Sequence, residues 1–215
     1  MAPLLLGHRG ARASRHIPEN TVASFELCLQ HGCDGFEFDV RQSADGQAVV
    51  CHDRVVRGMV VAETPAAVLG LPTLESVLRE FASRTFLDIE LKVGGLERQT
   101  IALLREHSPQ KGYVVSSFLP EVLQALHGLD AGIPLGFISD KPREIERWRE
   151  MQGEWVIPQL ALTNEILIGQ VHAAGKKVMV WTANRADEMS KLAEWGVDAI
   201  VSDETELAVQ VLASV

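Results

Sequence analysis

The stretch Gly35-Phe36-Glu37-Phe38-Asp39-Val40 sets Phe36, Phe38 and Val40 on alternate positions, the period of a β-strand. The same period places Glu37 and Asp39 side by side on the opposite face. At a sheet edge the two acids would simply face water. The other candidate strands, however, are short apolar runs of the kind found in a parallel sheet covered on both faces. Two carboxylates at the end of a buried strand repel each other and lose hydration, so they require a cation. A divalent metal site is the first expectation.

Outward from that strand, strand and helix signals alternate along the whole chain. Before it lie a strand over Leu4–Leu6, the turn Gly7-His8-Arg9-Gly10, and a helix over Thr21–His31 with Asn20 as N-cap and Gly32 as its stop. After it, an Asp45-Gly46 turn signal leads to an extended piece over Gln47–Cys51, a hairpin-like extension. Residues Arg54–Leu71 carry little pattern, and Thr73 opens a helix running to about Ser83. The second half predicts strands at Phe86–Leu91, Tyr113–Ser116, Pro134–Ile138, Trp155–Ile157, Lys177–Val180 and Ala199–Val201. The helices between and after them are predicted over Leu96–His107, Pro120–Leu129, Pro142–Met151, Asn164–Ala174, Ala186–Glu194 and Glu204–Leu212. Eight strand–helix units in one unbroken series favour an α/β fold closed as a (β/α)8 TIM barrel over an open doubly wound sheet.

A chain of 215 residues suits a single barrel domain, 1–215, near the lower end of the size range for this architecture, so its loops must be lean. The formal net charge of −9 argues against nucleic acid or an acidic membrane as the main partner. Cys28, Cys33 and Cys51 are an odd count without metal-finger spacing, which reads as reduced thiols in a cytoplasmic protein. The start, Met1 to Leu6, has no basic n-region and too short an apolar run for a signal peptide or membrane anchor.

In a barrel the polar strand ends converge on the C-terminal mouth. His8 and Arg9 end the first strand, Glu37 and Asp39 the second, and Glu90 and Lys92 the third. Ser117, Trp181, Asn184, Ser202 and Asp203 follow later strands. In Asp88-Ile89-Glu90-Leu91-Lys92, period two puts Glu90 beside Glu37 and Asp39 on the neighbouring strand. Three oxygen ligands select a hard cation, Mg²⁺ or Ca²⁺, over zinc. The competing reading is an ion-pair network of Glu90, Lys92 and Arg9 around the rim. His8 and His52 follow short apolar runs and are flanked by charge; near a metal they can act as general acid and base, and otherwise they are strand-end structural histidines. A metal with Arg9 and Lys92 is a way to hold a phosphoryl group. No Gly-rich phosphate loop, serine elbow or reactive-cysteine signature is present.

These residues fall in ordered motifs: Gly7-His8-Arg9-Gly10, Pro18-Glu19-Asn20-Thr21, Glu37-Phe38-Asp39-Val40, His52-Asp53, Pro72-Thr73-Leu74-Glu75, Ile89-Glu90-Leu91-Lys92, Ser116-Ser117-Phe118, Val180-Trp181-Thr182-Ala183-Asn184 and Gly196 to Asp203. In that order, over nearly the whole chain, the sequence resembles the glycerophosphodiester phosphodiesterases. The resemblance implies a TIM barrel of the phosphatidylinositol-specific phospholipase C-like type that hydrolyses a small-molecule glycerophosphodiester to sn-glycerol 3-phosphate and an alcohol. It implies Glu37, Asp39 and Glu90 as ligands of one divalent cation and His8 and His52 as the acid–base pair. It also implies Arg9 and Lys92 on the phosphate, Glu19 and Asn20 shaping the first loop on the substrate side, and Phe118 and Trp181 lining the pocket. Trp181 on its own also reads as a plug for the barrel mouth.

The chain departs from the family between His52-Asp53 and Pro72, where only Arg54–Leu71 stands in place of a longer insertion. The expectation there is a reduced loop. Two rivals accompany the main reading: a non-catalytic barrel that binds phosphate esters, and a lysophospholipase-D-like phosphodiesterase using Met59-Val60-Val61 as an apolar rim.

Overall fold

The computed structural model describes residues 2–213. In chain order its elements are β1 (Leu4–His8), α1 (Val22–His31), β2 (Gly35–Gln42), β3 (Ala48–Val50), β4 (Val55–Val56), β5 (Met59–Val60), α2 (Ala66–Leu69), α3 (Leu74–Phe81) and β6 (Phe86–Leu91). There follow α4 (Glu97–Glu106), β7 (Tyr113–Ser117), α5 (Pro120–Leu129), β8 (Leu135–Ser139), β9 (Trp155–Pro158), α6 (Glu165–Ala173), β10 (Lys177–Val180), α7 (Ala186–Glu194), β11 (Ala199–Ser202) and α8 (Thr205–Leu212). Eight strands pair in parallel in the order β1-β11-β10-β9-β8-β7-β6-β2, and β1 pairs with β2 as well, which closes the barrel.

Alternation sorts the side chains into two shells. Outward, Phe36 and Phe38 of β2 meet Phe25 of α1 and Phe81 of α3, with Phe25 and Phe36 stacked at 4.1 Å and Phe81 edge-on to both. All four rings are fully buried, each contributing about 1.5–3 kcal/mol of transfer free energy. Inward, Leu6, Phe86, Val114, Trp155, Ile157, Met179, Ala199 and Val201 fill the barrel. The aromatic shell fixes which face of β2 points to the helices. That choice sends Glu37 and Asp39 into the barrel mouth.

The expected hairpin extension forms, with β3 antiparallel to the end of β2 in the register Val40–Val50 to Gln42–Ala48. Three expectations are corrected. The N-cap of α1 is Thr21, whose hydroxyl accepts from the Ser24 N–H at 3.2 Å. Asn20 is left-handed, φ +58°, and turns its amide toward Asp39 instead. The helix expected over Pro142–Met151 is a short 3₁₀ turn, Ile145–Arg149. Its buried residues are Ile145 and Trp148, three apart, which is the 3₁₀ period; no i+4 partner is buried to hold an α-helix. Among the described residues the barrel therefore has eight strands but seven surrounding α-helices, with α2 outside the ring.

The third correction concerns Arg54–Leu71, which is more than a loop. It holds the β4–β5 hairpin, a 3₁₀ turn at Val61–Glu63, and α2. Val61 and Leu69 pack there on Val49 and Cys51 as a small satellite core. Val61 is thus buried and cannot serve an exposed rim; Val55, Val60 and Val68 are the exposed valines of the segment. Among the described residues no helix is long and apolar enough to cross a membrane.

Candidate active site

The strand register brings the predicted acids together. His8 stands level with Glu37, and Asp39 level with Glu90. Glu37, Asp39 and Glu90 each offer an oxygen within 4.8 Å of the others, and all three residues are buried. Glu37 Oε1 has no hydrogen-bond partner, and Glu90 Oε1 faces Lys92 Nζ at 2.6 Å without hydrogen-bond alignment. Converging carboxylate oxygens with an unpartnered lone pair fit a hard divalent cation.

The electrostatics separate the three. Burial drives Glu37 well above the ordinary carboxyl range, and the charges of Asp39, Glu90 and Asp88 push the same way. Burial and Asp39 lift Glu90 to about 7 against the pull of Lys92. Asp39 is lowered: burial opposes this, but Lys92, Arg9 and the Asn20 hydrogen bond outweigh it. Lys92 Nζ lies 3.3 Å from one Asp39 oxygen, and Arg9 Nε 3.2 Å from the other, the latter unaligned as a hydrogen bond. The cluster therefore holds acids whose ionisation is costly until a cation arrives.

The first loop is built to deliver Arg9. Gly10 has φ +84°, and a Cβ there would fall 2.5 Å from Ser24 Oγ and 2.7 Å from the Ser24 backbone of α1. Arg9 itself is left-handed, φ +56°, which aims its N–H at Glu37 Oε2, 3.0 Å away. Its guanidinium donates to Glu19 Oε1 at 2.8 Å, and Asn20 donates to Asp39 Oδ2 at 2.9 Å. Glu19 and Asn20 accordingly brace Arg9 and Asp39 and stand outside the lining of the central cleft.

Both histidines reach the cleft, in different settings. His8 is 8% exposed, with Nδ1 2.7 Å from Asp203 Oδ1. A carboxylate only accepts, so Nδ1 carries the proton and Nε2 faces inward, 3.9 Å from Glu37. Asp203 also accepts from Asn184 at 2.7 Å and from Arg12 at 3.1 Å. Burial opposes its ionisation, yet these partners hold it far below the usual carboxylate range. His52 has a side chain 35% exposed and pairs with the exposed Asp53 at 2.9 Å.

The cleft, about 210 Å³, is lined by both histidines, Arg9, Glu37, Glu90 and Lys92 and by the apolar side chains of Phe118, Ile138, Ile157 and Trp181, with Lys92 Nζ 5.4 Å from the centre of the Phe118 ring. Phe118 and Trp181 meet edge to face at 5.5 Å, and the Trp181 indole N–H donates to the Ile157 carbonyl. Sequence reasoning assigned no role to Asp88, Asp140 or Asp203. Asp88, beneath the cluster, accepts from Ser116 at 2.6 Å and is raised by burial to about 7. It shares the inward period of Glu90, which was the available signal. Asp203 directly follows the last strand, but its pairing with His8 spans 195 residues.

Fixed positive charge beside a cation-ready acid cluster, with imidazoles on the same cleft, suits the displacement of an oxygen at phosphorus. The class is that of the phosphoric diester hydrolases. The profile of the glycerophosphoryl diester phosphodiesterase family matches residues 8–86 and 71–207, and the chain belongs to that family. A glycerophosphodiester phosphodiesterase of Caldanaerobacter subterraneus is 26% identical over 242 residues, covering 99% of this chain and 98% of that protein. An Oleispira antarctica phosphodiesterase, solved in complex with the product sn-glycerol-3-phosphate, is 27% identical with a TM-score of 0.84, covering 99% of this chain and 97% of that one. The glycerophosphodiester phosphodiesterase of Thermotoga maritima, at 24% identity and a TM-score of 0.82, covers 98% of this chain and 99% of that one and shares the fold.

Proposed function

We propose that this protein hydrolyses glycerophosphodiesters to sn-glycerol 3-phosphate and an alcohol, with one divalent cation, Mg²⁺ or Ca²⁺, held by Glu37, Asp39 and Glu90. The observation that carries the reading is the convergence of three buried carboxylates, with Glu37 Oε1 unpartnered, between Arg9 and Lys92. When bound there, the cation supplies Lewis-acid polarisation of the phosphoryl oxygens.

The chain's own groups do the rest. Arg9 and Lys92 hold the non-bridging oxygens and balance charge that shifts as the P–O bond breaks. One of His8 and His52 takes the proton of the attacking hydroxyl; the other gives a proton to the leaving alkoxide. Asp203 holds His8 in the tautomer that leaves Nε2 free for either transfer. The apolar side chains of Phe118, Ile138, Ile157 and Trp181 exclude water from the cleft. The three free cysteines, all buried, favour a reducing, cytoplasmic setting for this activity.

The test is release of glycerol 3-phosphate from glycerophosphocholine and glycerophosphoglycerol with Mg²⁺, Ca²⁺ or a chelator. Chelation abolishes release, and His8→Ala and His52→Ala each cost roughly 10²–10⁴ in kcat. Turnover that survives exhaustive chelation would overturn the cation site; turnover unchanged in either histidine variant would remove that residue from proton transfer.

A further inference from the structure

Two of the three free cysteines meet where α1 runs into β2. Gly32, at φ +101°, donates its N–H to the Leu29 carbonyl at 3.0 Å, and Cys33 donates to the Cys28 carbonyl at 3.4 Å. Those two bonds define a Schellman motif, whose C3 and C″ side chains commonly pack on each other. Here both positions are cysteine. Contact with the Cys33 thiol, and then burial, push the Cys28 thiol above its ordinary range. Any pair of small apolar side chains would serve the packing, so the two thiols add chemistry that the helix end does not need.

The sulfurs differ in access. Cys28 is fully buried; its thiol donates to the Gly35 carbonyl at 3.3 Å, and a Cβ on Gly7 would fall 2.5 Å from its Sγ. Cys33 is 8% exposed and lines a groove of about 560 Å³ with Leu4 and Phe86, the first residues of β1 and β6. That groove lies at the end of the barrel opposite the candidate active site, and neither cysteine lines the central cleft. Of its charged residues, Asp34 accepts from the Leu5 N–H at 2.8 Å and Arg84 is paired with Glu26 at 2.9 Å. Among the described residues Lys111 has no hydrogen bond or ion pair, so its charge is free to draw an anionic reagent to Cys33.

We propose that Cys28 and Cys33 form a reversible redox site, a dithiol that a low-molecular-weight disulfide converts to a protein disulfide. The Cys33 thiolate attacks one sulfur of the reagent, whose S–S bond breaks, and one half leaves as a thiolate that takes a proton from solvent. Cys28 then releases its proton to solvent and attacks the Cys33 sulfur of the mixed disulfide, expelling the second half. In all, the two protein thiols lose two electrons and two protons, and the reagent gains them as two thiols. The cross-link closes only the short loop from Cys28 to Cys33, so chain entropy adds little to its stability and excess thiol reverses it.

The experiment incubates the folded chain with glutathione disulfide, quenches in acid, caps free thiols with a maleimide and maps the products by mass spectrometry. The expected result is a Cys28–Cys33 linkage, cleared by excess reduced glutathione. Cys51, whose thiol burial raises to about 11, stays free and serves as the internal control. Cys28→Ser, or Cys28→Ala where the buried site rejects a hydroxyl, stops at one glutathione on Cys33. Cys33→Ser leaves Cys28 unmodified. A wild type that keeps all three thiols, or that carries glutathione on Cys33 without ever forming the linkage, overturns the site. So does modification of Cys51 as fast as Cys33, or a linkage that excess reduced glutathione leaves intact.

Discussion

At the scale of single residues, the two histidines differ in what stands behind them. His8 is backed by a carboxylate that is itself fixed by Asn184 and Arg12, whereas His52 leans on an exposed aspartate next to it in the chain. Removing a partner that orients an imidazole typically costs 10- to 100-fold. Asp203→Asn should therefore lower kcat roughly 10- to 100-fold with little change in KM. Asp53→Asn should cost less than about threefold, because an exposed ion pair of this kind holds its partner weakly. Steady-state kinetics on both variants checks this; equal effects would remove the distinction between the two imidazoles. The acids Glu37, Asp39 and Glu90 were legible in the sequence because period two alone sorts them to one face. Asp203 was visible only as a polar strand end, since its partner lies at the far end of the chain and meets it only when the barrel closes.

At the scale of elements, the first loop shows how backbone geometry delivers chemistry. Arg9 and Asn20 both occupy the left-handed region, and each uses it to reach a carboxylate of β2. That arrangement depends on α1 pressing against Gly10. Gly10→Ala adds a Cβ into the Ser24 backbone at a φ of +84°, so it should destabilise the fold by roughly 2–4 kcal/mol and displace Arg9. Urea unfolding gives the first quantity. A rise in KM for the phosphodiester exceeding any loss of kcat reports the second. A variant with full stability and wild-type KM would show that the loop tolerates the shift. The elements that the sequence misassigned share a cause. The 3₁₀ turn after β8 and the small fold within Arg54–Leu71 are short segments held by two or three tertiary anchors, Ile145 and Trp148 in one, Val61 and Leu69 in the other. A pattern of two buried residues is too brief for periodicity to identify. The barrel strands were readable because several alternating positions repeat the same signal.

At the scale of the whole molecule, closure brings acids from different strands into one mouth, so the catalytic end of the barrel is also its least comfortable part. Eight strand signals in series made the closed sheet readable, while the interior charge depends on register, which only pairing sets. Glu90 and Asp88 are raised to about 7 and Glu37 is raised as well, whereas the same groups in the unfolded chain titrate near 4. Between about pH 4 and 7 the folded chain thus binds more protons than the unfolded one, and without a divalent cation stability falls as pH rises through that window. Asp39 and Asp203 have lowered values and act oppositely, but their contribution is lost only as pH falls below about 4. A cation needs these carboxylates deprotonated, so its stabilisation grows with pH over the range where the cation-free protein weakens. With free cation at 100 times Kd the gain is about 2.7 kcal/mol, on the order of 5–10 °C in Tm for a chain of this size. Thermal unfolding at pH 5, 6.5 and 8, in chelator and in Mg²⁺ or Ca²⁺, should show Tm falling with pH in chelator and the cation's increment widening. Glu37→Gln should lose the increment and, in chelator at pH 8, melt above the wild type because one of the repelling acids is gone. An increment independent of pH, or a Glu37→Gln protein that keeps it, would place the cation somewhere other than this cluster.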